Sequence, residues 1–427
     1  MPEIKIKRPL AIAAINSAGK LLQKAGFKRE LRADELMQQA MQNRGLHDFG
    51  GTDFLPALEH LCVALENEAK LNTIGRTIAR KSLLSLLQRR LDIVNYSKQN
   101  PGIEDQKINR PLFIAGMPRT GTTILYELLS QDSNHRFPIS WEVEHPIPPA
   151  SEDSLYTDPR IEQVEAQFNQ VEQLVPGFRA IHEMGPTLPQ ECVAILASHF
   201  MSEQWIVSYN MPEFRRWLMQ QDFTGAYQWH KRCLQVMQSG YGEDKRWLLK
   251  TPPHIGYLET ILQVYPDACI VQTHRDPMQV LASLSSLTAS LRSLASDSID
   301  PVAIGRDEVT NWQTFLQRGM DARTKLAEKH SQQFFDIRFE DILQRPIAVI
   351  ESMYRYFGFE FSDELRQKMQ TYLDNRPRDK HGRHEYSAGD YGLDPERDGE
   401  QFSAYIKRYL PERSPHPDPL PKGEGAH

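Results

Sequence analysis

The sequence predicts an α/β fold in which a P-loop-like parallel sheet lies in a three-layer unit, with a helical N-terminal region and a helical insertion. Short apolar runs alternate with long stretches of helical spacing, which is the pattern of βα crossover units. The first apolar run ends in a glycine-containing loop directly before a helical stretch. The chain has 427 residues, 40% of them hydrophobic and 25% charged, which is enough apolar material for a buried core.

The first 105 residues are predicted to form the helical N-terminal region. Apolar residues recur there at helical spacing, for example Leu84, Leu87 and Leu91. A short apolar stretch follows three basic residues near the start, but Asn16 and Ser17 break it before it reaches the length of a secretory signal. Nowhere do eighteen apolar residues follow one another, so we expect no transmembrane segment.

Four apolar runs supply the predicted strands, at residues 111–116, 246–250, 268–273 and 334–339. We place the α/β domain at 106–410, with a helical insertion at about 132–244 over the functional edge of the sheet. The proline-rich residues 411–427 are expected to be a disordered tail. Parallel strands end at one edge, which should gather four residues that follow them: Arg119, Lys250, His274 and Arg275.

Charge and cysteine content exclude several classes of function. Fifty basic and fifty-six acidic residues give a net charge of −6, which argues against a general nucleic-acid partner. The four cysteines form no CxxC pair, so neither a disulfide framework nor a thiolate zinc site is expected. A reducing, cytoplasmic location follows as the natural expectation, and no metal-binding motif occurs.

The loop from Gly116 to Thr123 has the GxxxxG spacing of a phosphate-binding loop at a strand-to-helix junction. Thr122 stands where a Walker loop requires lysine, so an ordinary kinase or nucleoside triphosphatase is disfavoured. The loop instead carries its own cation, Arg119. The alternative is a tight turn whose threonines only cap the following helix.

Residues 118–123, PRTGTT, resemble the 5′-phosphosulfate loop of the sulfotransferases that use 3′-phosphoadenosine 5′-phosphosulfate (PAPS). The arginine form of this loop is found in tyrosylprotein sulfotransferases and many bacterial members. Arg275 and Ser283, eight residues apart after a predicted strand, resemble the family's 3′-phosphate motif. Lys250-Thr-Pro252 and Phe339-Glu-Asp341 resemble two further family elements, so the similarity spans about residues 110–345 and points to the large bacterial branch.

The resemblance implies a role for each matching residue. Arg119 and Lys250 would contact the transferred sulfate, while Arg275 and Ser283 would hold the 3′-phosphate. Within the basic loop 376–386, Arg383 or His384 would also contact the co-substrate; the alternative is a solvated surface loop. The 5′-phosphosulfate would lie on the loop residues Pro118, Arg119, Thr120, Gly121, Thr122 and Thr123.

The acceptor must lose a proton, so a general base is expected beside the transferred sulfate. Tyrosylprotein-type members place a glutamate about two dozen residues after the loop arginine, and Glu142 falls in that window. His145 is the second candidate. The alternative is that Trp141 and Glu142 only shape the rim of the pocket.

The sequence therefore predicts a sulfotransferase that moves the sulfuryl group of PAPS to a hydroxyl, or an amine, of a small or lipid-like acceptor. The transfer would be in line, with a carboxylate base and without metal. A P-loop kinase of small molecules and a non-catalytic nucleotide-binding interaction protein stay open as alternatives. The sequence identifies neither the acceptor nor whether the chain is a monomer or a homodimer.

Overall fold

The structure is a computed structural model that describes residues 10–24, 30–174, 185–242, 244–375 and 387–411. Its N-terminal part is helical, as the spacing predicts. The long fourth helix begins at a regular cap, where the side chain of Asn72 accepts a hydrogen bond from the Gly75 backbone N–H at 2.8 Å. The helices are α1 (Leu10–Lys24), α2 (Ala33–Arg44), α3 (Leu55–Asn67) and α4 (Thr73–Gln99), followed by a 3₁₀ turn at Pro101–Ile103.

Five parallel strands form the sheet, in the order β2-β3-β1-β4-β5. The central strand, Leu112–Gly116, is apolar, and it and its neighbour Cys269–His274 are buried along their whole length, as parallel strands between helices should be. Four of the strands are those predicted, whereas the two-residue β2 is too short to leave a sequence signal. The strands are β1 (Leu112–Gly116), β2 (His135–Arg136), β3 (Arg246–Lys250), β4 (Cys269–His274) and β5 (Phe334–Arg338).

The segment between β1 and β3 is mainly helical. It contains α5 (Thr122–Leu129), α6 (Ser140–Glu144), α7 (Arg160–Leu174), α8 (Cys192–Leu196), α9 (Gln204–Ser208), α10 (Pro212–Leu218) and α11 (Thr224–Gln238), with a 3₁₀ turn at Ala197–His199. Its aromatic residues are largely core: Trp205 and Tyr227 are fully buried. Packing in the hydrophobic core therefore accounts for the aromatic residues of this segment.

Helices also connect the later strands and complete the chain. They are α12 (Leu258–Val264), α13 (Met278–Ala295), α14 (Pro301–His330), α15 (Phe339–Gln344), α16 (Pro346–Phe357), α17 (Asp363–Asn375), α18 (Pro395–Gly399) and α19 (Ser403–Tyr409). Shorter 3₁₀ segments lie at Pro252–Tyr257, Ser331–Gln333, Ala388–Tyr391 and Glu400–Phe402. One hydrophobic core runs from α3 and α4 to the sheet, joining Leu58 and Leu87 with Phe113.

One buried carboxyl group contacts the 3₁₀ segment Pro252–Tyr257. Glu203 is 3% exposed, and the Tyr257 hydroxyl donates a hydrogen bond to it at 2.5 Å. Burial raises the pKa of Glu203 to about 7, although the Tyr257 hydrogen bond acts in the opposite direction. We therefore expect this residue to make the stability of the fold depend on pH.

The predicted fold class is confirmed: parallel strands alternate with helices, and the glycine loop lies between β1 and α5. The domain boundaries near residues 105 and 410 stay predictions. The expected contacts of Arg383 and His384, and nearly all of the expected tail, lie outside the described residues. Within the described ranges, no helix is both long enough and apolar enough to span a bilayer.

Candidate active site

The loop after β1 adopts a backbone that few residue types tolerate. Gly116 and Gly121 have φ values of 138° and 90°, and Arg119 between them has a φ of 65°. A Cβ atom on Gly116 would lie 2.5 Å from Thr273 Oγ1 and 2.6 Å from the Thr273 carbonyl oxygen, so only glycine fits beside β4. A non-glycine residue at positive φ is strained, and such strain is characteristic of functional loops.

Thr120 holds the loop in this shape. Its hydroxyl donates to the Met117 carbonyl oxygen at 2.6 Å and lies 2.6 Å from the Thr273 hydroxyl on β4. Thr120 and Thr122 are buried, whereas Arg119 and Thr123 are exposed. The loop therefore presents a cationic side chain and the N-terminus of α5, where backbone N–H groups have no partner within the helix.

Arg275 joins the second motif to this loop. It follows β4 directly, and its Nη1 donates to the Arg119 carbonyl oxygen at 2.9 Å across 156 residues of sequence. Its guanidinium carbon lies 4.0 Å from the centroid of the Phe339 ring, and Nε donates to Gln279 at 3.3 Å. Ser283 lies in the second turn of α13 with a partly buried side chain. The structure thus brings the two predicted phosphate motifs to one edge of the sheet.

Lys250 is the last residue of β3, and its register partner on β1 is Ile114. Its ammonium group pairs with Glu191, and the Thr251 hydroxyl donates to the other carboxylate oxygen of Glu191 at 3.1 Å. The Lys250 side chain is 6% exposed and that of Glu191 is 29% exposed. Lys250 therefore lies where predicted, and it carries an acidic partner that sequence analysis did not identify.

Glu191 is held in place from two sides. Residues 186–190 pair with the residues around the start of α6, since Trp141 N donates to the Pro186 carbonyl oxygen at 2.9 Å and Gln190 N donates to the Pro138 carbonyl oxygen at 2.8 Å. The Tyr126 hydroxyl of α5 donates to the Gln190 carbonyl oxygen at 3.1 Å. Glu191 follows this segment directly, and Lys250 of β3 pairs with its carboxylate. Helix α5 and strand β3 therefore both fix the position of Glu191.

The predicted base Glu142 lies in a different environment from the one expected. Its side chain is fully buried, and its carboxylate accepts a hydrogen bond from Arg136 Nη2 at 2.5 Å. The Arg136 guanidinium also donates to the Met237 carbonyl oxygen at 3.2 Å and lies 4.3 Å from the Trp247 ring centroid. These contacts are those of a buried structural ion pair.

His145 ends the same short helix and is partly buried. Burial lowers its pKa, Arg89 and Arg160 lower it further, and Glu144 opposes them. Glu144 in turn accepts a hydrogen bond from Arg89 at 2.5 Å. The ring is therefore neutral near pH 7, with Nε2 buried and without a hydrogen-bond partner in the described part of the chain.

His274 does not supply the cationic charge expected at the sheet edge. It is buried, with Nδ1 at 2.8 Å from the Tyr405 hydroxyl and Nε2 at 2.9 Å from Asp336. Burial lowers its pKa, and this outweighs the opposing effect of Asp336. His274 therefore ties β4 to α19 and β5, immediately before Arg275.

A sequence signal for Glu191 is hard to find. It precedes no apolar strand and belongs to no motif, and it lies in the insertion far from both phosphate elements. Arg119, Lys250 and Arg275, by contrast, lie at or shortly after strand ends in segments that resemble family motifs. Among the described residues, no group of three His, Cys, Asp or Glu side chains is arranged to hold a metal ion. All four cysteines are buried free thiols.

Comparison with known proteins gives a consistent result. Residues 111–363 match the sulfotransferase family. An omega-hydroxy-beta-dihydromenaquinone-9 sulfotransferase, Stf3 of Mycobacterium bovis, is 27% identical over 71% of this chain and 76% of its own length. The crystal structure of sulfotransferase STF1 from Mycobacterium tuberculosis is 34% identical, with a TM-score of 0.79 over 88% of this chain and 100% of that one. Sulfotransferase STF9 from Mycobacterium avium is 28% identical, with a TM-score of 0.82 over 90% and 98% of the two chains.

Proposed function

The chain belongs to the sulfotransferase family, and on that premise we propose that it transfers the sulfuryl group of PAPS to a hydroxyl group of a lipid-like acceptor. The observation that carries the proposal is the hydrogen bond from Arg275 to the Arg119 carbonyl oxygen. It supports one continuous binding edge for the two phosphate ends of the same co-substrate. The alternative function, a P-loop kinase of small molecules, has no comparable support because Thr122 replaces the Walker lysine.

The residues at this edge fit such a co-substrate. The glycines at 116 and 121 keep the backbone clear of side chains, and α5 begins at Thr122, so loop and first-turn N–H groups would bind the 5′-phosphate together with Thr122 and Thr123. Pro118, Thr120 and Gly121 shape this cradle. Arg275 offers a planar guanidinium to the 3′-phosphate, with Ser283 on the following helix as its partner.

When bound, PAPS supplies a sulfuryl group whose bond to the bridging phosphate oxygen breaks while the acceptor oxygen bonds to sulfur. Fixed cations stabilise the charge that develops on the sulfate and on the leaving phosphate. Arg119 at the loop tip and Lys250 at the end of β3 are the cations we assign to this task. Their placement at adjacent strand ends supports that assignment.

We assign the base to Glu191 rather than to Glu142. A general base must reach the acceptor hydroxyl, and the Glu142 side chain is fully buried beside Arg136. Glu191 is partly exposed and already contacts Lys250, the residue assigned to the sulfate. The acceptor proton would move to the Glu191 carboxylate as the oxygen attacks. His145, neutral at pH 7, is the second candidate for this step.

The acceptor class follows from relatives alone. The Stf3 relative is named as a sulfotransferase of omega-hydroxy-beta-dihydromenaquinone-9, a hydroxylated menaquinone derivative. We therefore propose an alcohol on an apolar molecule, with an amine as the less favoured acceptor. A cytoplasmic location is proposed on the four free thiols, which suit a reducing compartment.

Thermal stabilisation by 3′-phosphoadenosine 5′-phosphate in the presence of EDTA tests the co-substrate. We expect a clear rise in melting temperature with this ligand and little with Mg·ATP. The reverse pattern would overturn the proposal in favour of a kinase. Stabilisation without label transfer from ³⁵S-labelled PAPS to any lipid extract, tested at high protein concentration, would instead favour a non-catalytic binding protein.

A further inference from the structure

Helix α1 packs against the protein with its polar and small residues. The Asn16 side chain accepts a hydrogen bond from the Ile74 backbone N–H of α4 at 3.1 Å. A Cβ atom on Gly19 would lie 2.0 Å from Thr73 Oγ1, so the two helices approach as closely as glycine allows. Where the side chains of α1 are described, its inward face therefore consists of a polar residue and a glycine.

Apolar residues of α1 face outward instead. Ile15 is 47% exposed and Leu21 is 69% exposed, and Ala14 and Ala18 beside them are also exposed. A surface helix of a water-soluble fold normally has the opposite arrangement, with its apolar stripe toward the core. An outward apolar face of this kind is available to a partner outside the fold.

The charge of the segment indicates the chemistry of that partner. Through the end of α1 the sequence contains five basic residues and a single acidic residue, Glu3, although the whole chain has a net charge of −6. Lys20 is exposed on α1 itself. An apolar helix face accompanied by lysine and arginine matches a surface with an apolar interior and anionic head groups. The basic residues are Lys5, Lys7, Arg8, Lys20 and Lys24.

We propose that α1 binds the surface of an anionic lipid bilayer, with Ile15 and Leu21 inserted between the lipids and Lys20 beside their head groups. The helix has fifteen residues, too few to cross a bilayer, so it lies along the surface. A second copy of the chain is the less suitable partner, because it would bring two basic segments together. This binding requires neither PAPS nor catalysis.

Vesicle flotation with the full chain tests the proposal. We expect binding to vesicles of phosphatidylglycerol and phosphatidylcholine, weaker binding at high salt, and little binding to pure phosphatidylcholine. The double substitution Ile15→Glu/Leu21→Glu should weaken binding at least about tenfold, because two apolar side chains leave the lipid. Val63→Glu is the matched control, since Val63 is 59% exposed on α3, and it should bind like the wild type.

Lys20→Glu provides a second variant that removes no apolar contact. It should weaken binding to anionic vesicles about fivefold or more and leave the circular dichroism spectrum unchanged. Equal binding of the wild type to neutral and anionic vesicles would overturn the proposal, as would wild-type binding by the double variant. A dimer in solution that Ile15→Glu/Leu21→Glu dissociates, without vesicle binding by the wild type, would assign the same face to a second copy.

Discussion

Replacing Arg275 with alanine should abolish the preference of the protein for a nucleotide that carries a 3′-phosphate. In the free protein this side chain donates a hydrogen bond to the loop at 2.9 Å and another to Gln279 at 3.3 Å, and it stacks on Phe339 at 4.0 Å. Losing these contacts at a partly exposed site costs about 1–2 kcal/mol of stability. The fold should therefore survive the substitution.

The loss in ligand binding should be larger. A hydrogen bond to a charged group contributes about 1.5–3 kcal/mol, so Arg275→Ala should weaken binding of 3′-phosphoadenosine 5′-phosphate roughly 10- to 150-fold. Arg275→Lys keeps the charge but loses the planar fork, and we expect an intermediate loss. Adenosine 5′-monophosphate lacks the 3′-phosphate, so its affinity should change much less.

Isothermal titration calorimetry of both nucleotides in EDTA, with wild type and Arg275→Ala, closes a thermodynamic cycle. We expect the affinity ratio between the two nucleotides to collapse in the variant. If that ratio stays at its wild-type value, Arg275 does not recognise the 3′-phosphate and the assignment is refuted. An unchanged ratio with equal losses for both ligands would mean that Arg275 acts only by supporting the loop backbone.

Three further predictions concern the base, the loop and the pH dependence. Glu191→Gln should lower kcat about 100-fold or more with an intact fold, whereas Glu142→Gln should destabilise the protein by about 3–5 kcal/mol by leaving a buried guanidinium unpaired. Gly116→Ala should cost about 2–4 kcal/mol in urea unfolding, against about 1 kcal/mol for Gly242→Ala, which also has positive φ but has open space around it. The folded-state pKa of Glu203 is about 7, above its usual 4.5, so the free energy of unfolding should fall as pH rises between these values. By pH 8 the free energy of unfolding of Glu203→Gln should therefore have risen by up to roughly 3 kcal/mol relative to that of the wild type.

Each of these predictions has an outcome that contradicts it. A stable Glu142→Gln with strongly reduced kcat, beside an active Glu191→Gln, would restore the base that the sequence suggested. Equal urea midpoints for the two glycine variants would mean that the loop does not need its close approach to β4. If the difference in unfolding free energy between Glu203→Gln and the wild type is constant from pH 4.5 to pH 8, the pKa of Glu203 is not raised.

The phosphate-binding part of the site could be predicted from the sequence because its residues lie in segments that resemble sulfotransferase motifs. These segments are the PRTGTT loop, the Arg275 and Ser283 pair and Lys250-Thr-Pro252. A parallel sheet brings the carboxyl ends of its strands to one edge, so these segments are expected to lie together there. The GxxxxG spacing of the loop glycines is a further local signal.

The acceptor side could not be predicted in the same way. Glu142 matches the spacing of a family base, yet its environment depends on Arg136, Met237 and Trp247, which only the packed structure brings together. Glu191 reaches Lys250 through backbone pairing between two irregular segments, and such pairing has no periodicity. Burial also reversed the expectation for His274, whose neutral ring is a product of packing.

A crystal structure of the protein with 3′-phosphoadenosine 5′-phosphate in EDTA tests the central claim most directly. We predict the 5′-phosphate on the loop from Gly116 to Thr123 and the 3′-phosphate on Arg275 and Ser283, with Lys250 and Glu191 facing the position of the transferred group. A nucleotide bound away from the ends of β1 and β4, or bound there with its 3′-phosphate turned from Arg275, would contradict the proposed site.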